Sequence, residues 1–67
     1  MNYRKWLTRV DELDQKQLKQ MVQQVDAEIA HYRVVIENYP PLAILRYGAP
    51  FMARLEAARK VFADKLL

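Results

Sequence analysis

Two adjacent prolines, Pro40 and Pro41, decide what the middle of this chain can be. Neither has a backbone N–H, and each pushes the residue before it out of the helical region. A helix arriving from the N-terminal side must therefore end near Tyr39. Such a helix is plainly written upstream. Leu18, Met21, Val22, Val25, Ile29, Tyr32, Val35, Ile36 and Tyr39 recur in steps of about three and four, the signature of one apolar helix face. Lys16, Lys19, Gln20, Gln23, Gln24, Asp26, Glu28, Arg33 and Glu37 occupy the other face. A helix over residues 15–38 would be about 36 Å long at 1.5 Å per residue. At Val34, Val35 and Ile36 the apolar stripe broadens, which predicts contact with more than one neighbouring element.

The start of this helix is equally legible. Asp14 is placed to accept from backbone N–H groups, and Gln17, three residues on, can reach back to the Asp14 N–H. That pairing is a capping box. Leu13 before the cap and Leu18 after it form a hydrophobic staple. Upstream, residues 2–12 read as a shorter helix, capped by Asn2, with Trp6, Leu7 and Val10 on one face docking onto the long helix.

Beyond the prolines, residues 42–47 read as one or two helical turns, opened by Pro41 and stopped by Gly48 in a left-handed conformation. The wholly apolar run Leu42, Ala43, Ile44, Leu45 suits core packing. Pro50 then opens a last helix in the favoured first turn. Phe51, Leu55, Ala58, Phe62 and Leu66 make its seam, with Met52 and Val61 flanking, and Glu56 and Lys60 are spaced for an i,i+4 pair. The predicted fold is all-α, a single domain over residues 1–67. It is a helical hairpin of a long central helix, a Pro-Pro corner and a C-terminal helix, with a short N-terminal helix across it. The long helix, the broadened stripe and Trp6 together predict a homodimer closing into a helical bundle.

Chemistry is sharply limited by composition. A chain of 67 residues buries only about 60% of the surface its unfolded form exposes, which leaves no layers to build a deep cleft. There is no cysteine, so disulfides, thiolate zinc sites and cysteine nucleophiles are excluded. One glycine cannot make a phosphate loop, and one histidine cannot make a polyhistidine metal site. Serine is absent, and Thr8 has no base placed to activate it. His31 sits one position off the apolar stripe, with only Glu56 and Asp64 on the last helix to join it, and reads as a boundary residue. Asp11, Glu12 and Asp14 cluster at a helix junction, where they answer the helix dipole and the cap. No enzyme, cofactor or metal site is expected. Nor is a signal peptide or membrane span, since no apolar stretch is long enough, and a cytoplasmic protein is expected.

Two surfaces remain as candidates. At the corner, Tyr39, Pro40, Leu42, Arg46 and Tyr47 bring together the residue types enriched at binding hot spots on a rigid turn. The plain alternative is that the two tyrosines plug the end of the hairpin. On the C-terminal third, Arg46, Arg54, Arg59 and Lys60 supply a basic cast, and Gly48-Ala49-Pro50 between two helical stretches reads like a helix-turn-helix. In that reading Ala53, Arg54, Ala57 and Arg59 would enter a major groove. The net charge of +3, from 11 basic and 8 acidic residues, permits nucleic acid without demanding it.

Residues 7–33, with Asp11-Glu12-Leu13-Asp14 at their turn, resemble the hairpin of small plasmid copy-control RNA-binding proteins. Leu13-Asp14-Gln15 together with Phe51, Arg54, Leu55, Ala57 and Arg59 is similar to the theta subunit of bacterial replicative polymerase. Both resemblances share a Leu-Asp helix start, which the capping box and staple account for on local grounds, and no residue role is carried over from either. The expected function is that of a non-enzymatic regulator that binds another protein, as an inhibitor, anti-activator, chaperone or accessory subunit, and covers part of its surface. The alternative is a DNA- or RNA-binding regulator using the basic C-terminal helix.

Overall fold

Asp14 begins the central helix as the spacing requires. In the computed structural model, which describes residues 3–67, the Gln17 N–H donates to Asp14 Oδ1 at 2.8 Å and the Asp14 N–H donates to Gln17 Oε1 at 3.0 Å. The capping box is complete, and Leu13 and Leu18 are both buried in the core. Helix α1 spans Tyr3–Leu7, a single 3-10 turn spans Val10–Glu12, and α2 spans Gln15–Glu37. After the corner come α3 (Pro41–Ala43), a π-helical stretch (Ile44–Gly48) and α4 (Ala49–Asp64). No strand occurs among the described residues. Asn2, expected to cap the first helix, lies outside them.

The N-terminal segment is not one helix. It breaks at Thr8 and Arg9, where the Arg9 N–H reaches the Trp6 carbonyl at 3.1 Å and the Thr8 hydroxyl donates to the Lys5 carbonyl at 3.2 Å. The break lets α1 lie across both α2 and α4, with Tyr3 buried and Trp6, Leu7 and Val10 half-buried against the core. Lys5 and Arg9 stand over the Trp6 ring, at 5.9 Å and 5.3 Å from its centroid. With these cations in place Trp6 remains half-buried.

Helices α2 and α4 run antiparallel. The pairs Gln15 with Lys65, Asp26 with Arg59, and Ile36 with Gly48 mark the register from one end to the other. The seam holds Leu18, Met21, Val25 and Ile29 from α2 and Leu55, Ala58 and Phe62 from α4, all buried. Phe62, Met21, Leu55 and Val25 are each under 2% exposed. Phe51 extends the seam by lying tilted against Tyr32, ring centroids 4.4 Å apart. At the far end the Gln15 amide donates to the Lys65 carbonyl and accepts from the Leu67 N–H, both at 3.0 Å, which ties down the end of the chain. Lys65 also meets Asp11 at 2.9 Å, and Arg9 pairs with Glu12. The acidic cluster thus serves both as the helix cap and as partners for neighbouring cations. The Arg9 guanidinium, by hydrogen bonding, holds the Glu12 carboxyl below its ordinary value. Glu56 and Lys60, spaced for a pair, form no ion pair in the structure; both are exposed, where such a pair is worth little.

Three expectations need correction. Gly48 is not a left-handed stop: its φ is −71° and its ψ −50°, ordinary right-handed helix. The helix passes straight through residues 41–64, and Pro50 sits inside it. A proline in a regular α-helix clashes with the carbonyl four residues back and leaves a bond unmade. The π-helical stretch just before Pro50 answers this by shifting the bonding to five residues, as where the Ala49 N–H reaches the Ile44 carbonyl. Glycine is needed at position 48 for closeness instead. A Cβ there would meet Ile36 Cδ1 at 3.0 Å and Cγ1 at 3.2 Å. Second, the broadened stripe does not cover itself. Ile36 and Val35 are half-buried, but Val34 lies opposite the seam and is 60% exposed. Third, the run after the prolines is not core, as described below.

Two stability outcomes follow from these contacts. Asp14→Ala is expected to lower stability by about 1 kcal/mol through loss of the cap, read as a shift in the urea midpoint at constant slope. Leu55→Ala, which empties the middle of the seam, is expected to cost about 2–5 kcal/mol in the same measurement.

Candidate partner-binding surface

The surface begins where α2 stops. Asn38 donates its N–H to the Val35 carbonyl at 3.2 Å and its side-chain amide to the Val34 carbonyl at 3.0 Å, closing the last turn. Pro40 is extended, with φ −59° and ψ 146°, and its carbonyl accepts from the Ile44 N–H at 3.1 Å to start the return. The register of the return is then set by Gly48. Its bare backbone lets Ile36 approach, so Ile44 and Gly48 face α2. Leu42, Leu45 and Tyr47 are left on the outer side.

These side chains are exposed to an unusual degree. Leu42 is 80%, Leu45 72% and Tyr47 64% exposed, with Tyr39 beside them at 47%. By sequence the run Leu42, Ala43, Ile44, Leu45 suits core packing, with Leu42 also expected at the binding corner. In the structure Ala43 and Ile44 are half-buried and the two leucines are not. The tyrosines do not plug the hairpin either; both stand in solvent. Pro40, Leu42, Ala43, Leu45, Arg46 and Tyr47 line one open groove of about 640 Å³. Four of the five residues singled out at the corner are thus brought together. Tyr39 flanks the groove without lining it, and Leu45 is a member that the sequence reading missed. A run of four apolar residues has no period, so nothing in it announces which members turn outward.

The basic residues are not brought together. At about 100° per residue along a helix, Arg54 and Arg59 flank the buried seam on opposite sides, and Lys60 lies away from it. Arg59 is paired with Asp26 of α2, and this contact raises the affinity of the guanidinium for its proton. Arg46 lies at the corner, two turns before Arg54. The helix-turn-helix expectation fails outright, because Gly48-Ala49-Pro50 is helix and not a turn.

His31 is exposed and lines a second groove, of about 810 Å³, with Tyr3, Arg4, Gln24, Glu28, Tyr32 and Phe51 among its walls. Arg4 is held above its usual value, first by its hydrogen bond to the Tyr3 oxygen and also by Glu28. That groove is therefore charged with both signs on the same wall. Among the described residues no three His, Asp or Glu side chains converge as a metal site, and no helix is long and apolar enough to cross a membrane. No family model, curated protein or solved structure matches the chain. The resemblances in the helix start therefore give no family assignment, and the functional reading rests on the side chains themselves.

Leu42 and Leu45 lie mostly in solvent, which makes a direct prediction. Replacing Leu42 and Leu45 together by Gln is expected to leave the unfolding free energy, read from the urea midpoint at constant slope, within about 0.5 kcal/mol of the parent. The same change is expected to shorten retention on a hydrophobic column markedly, because the exposed apolar surface is removed. A large loss of stability would place these leucines in the core after all.

Proposed function

We propose that this protein is a small, non-enzymatic binding protein that docks onto another protein through its apolar corner and acts by covering the surface it occupies. The observation that carries this reading is the exposure of Leu42, Leu45 and Tyr47 on one short stretch. Burying a leucine is worth about 1.5–3 kcal/mol. A small core has little to spare, so leaving two leucines in water forgoes a large share of the stability available to such a chain. Grouped exposed apolar side chains of this kind favour an interaction site. The site is also stiff. It stands on a helix locked to α2 through Gly48 and Ile36 and entered through two prolines, so little entropy is lost on docking.

Steric cover of this kind would serve an inhibitor, an anti-activator, a chaperone or an accessory subunit alike. Nucleic-acid binding through Arg46, Arg54, Arg59 and Lys60 is less well supported, since these residues spread around the helix and Arg59 is engaged with Asp26.

Affinity capture from a lysate of the source organism tests the reading, with nuclease added and salt varied. A protein retained by the parent chain, resistant to nuclease, and lost with Leu45→Glu is the expected result. Recovery of nucleic acid that falls away steeply as salt rises would replace it with the basic-surface account.

A further inference from the structure

The groove carries information about the chemistry of what enters it. Its lining is five apolar or aromatic residues and one cation, Arg46, with no acidic residue among them. Arg46 is exposed, and among the described residues it takes part in no ion pair. No strand occurs among the described residues, so the corner offers no sheet edge, and its side chains carry recognition. Strand addition needs such an edge, whereas an amphipathic helix laid into an apolar groove is read through its side chains at i, i+3 and i+4.

The size of the groove argues against a second copy of this chain as the occupant. A stable interface takes about 800 Å² from each partner, drawn from roughly 20–30 residues. Six residues line this one. A two-fold axis through the groove would also bring Arg46 against Arg46, two like charges at close range. A short segment of opposite charge has neither difficulty.

We propose that the groove takes an acidic amphipathic helix from another protein. Large aliphatic or aromatic side chains at i and i+3 or i+4 seat against Leu42, Leu45 and Tyr47, and a carboxylate of the same segment closes on the Arg46 guanidinium. The apolar anchors supply the affinity. The planar fork of the arginine, matched to a carboxylate, supplies orientation and discrimination against basic segments. This inference rests on the corner being a protein-binding surface, and adds the sign and form of the partner.

The test is a random peptide library displayed on phage, selected in parallel on the parent chain and on Arg46→Glu and Arg46→Gln. Selected peptides are then titrated by NMR, and the mass of the free chain is recorded by light scattering. The parent is expected to enrich apolar peptides bearing Asp or Glu, with shift changes at residues 40–47. Such a peptide is expected to bind Arg46→Glu at least about tenfold more weakly, equivalent to about 1.4 kcal/mol. Selection on Arg46→Glu is expected to turn to Lys and Arg, and selection on Arg46→Gln to lose its charge preference. Arg46 is exposed, so both variants should keep the parent's urea midpoint. Peptides that bind at residues 40–47 with no preference of charge would overturn the inference and leave the binding surface standing. Failure to enrich any peptide, or shift changes elsewhere, would remove both. A dimer that Leu45→Glu dissociates would give the groove to a second copy and overturn the inference.

Discussion

Everything in this molecule depends on the antiparallel seam between α2 and α4, where Met21 and Val25 meet Leu55 and Phe62 out of reach of water. Most of a protein helix's stability comes from tertiary packing of its amphipathic face, so each helix is held mainly by the other's apolar side chains. The seam also fixes register. Once Phe62 and Leu55 are seated, Arg59 falls opposite Asp26, and Gln15 reaches the end of the chain at Lys65 and Leu67. These polar contacts are exposed and screened, so they confirm a register that the apolar contacts have already set.

The seam does not run the length of the molecule, which measures 40 × 19 × 17 Å. At the end carrying the termini it is reinforced by Tyr3, Leu13 and the half-buried Trp6, Leu7 and Val10. Past Ile29 no side chain of α2 is fully buried, and the opposing strand of contact thins to Phe51, Ile44 and the bare backbone of Gly48. Stability and availability are thus separated along one axis. One end is closed by packing and hydrogen bonds. The other is entered through Pro40 and Pro41 and presents its apolar side chains outward. The π-helical stretch belongs to this second end. It exists because Pro50 forbids regular helix geometry behind it, and it sets the faces of residues 44–48.

How much of this was legible in the sequence follows from which signals were local. The cap at Asp14 was, because Asp14, Gln17, Leu13 and Leu18 act within one turn. Both halves of the seam were, because their three-and-four spacing is intrinsic to each helix. Gly48-Ala49-Pro50 misled, since glycine then proline is the usual sign of a stop and restart. Reading Gly48 as a point of close approach instead of a stop required knowing that Ile36 would press on it, a contact between residues far apart in sequence. Tyr3 was missed as a core residue because it stands in a basic segment whose helix breaks at Thr8, and the break brings it over both helices. The corner residues were identified by type, but their exposure was not. A short apolar run leaves its facing to the element that packs on it, and here Ile44 and Gly48 take the inner side.

The central claim is that the free chain closes its core at one end and leaves Leu42 and Leu45 in solvent at the other. Solvent paramagnetic relaxation of the leucine methyl groups measures this directly. With a soluble inert paramagnet, Leu42 and Leu45 are expected to relax strongly, while Leu18 and Leu55, in the same molecule and the same spectrum, stay protected. Protection of Leu42 and Leu45 to the level of Leu55 would contradict the account, since those leucines would then already be covered in the free chain.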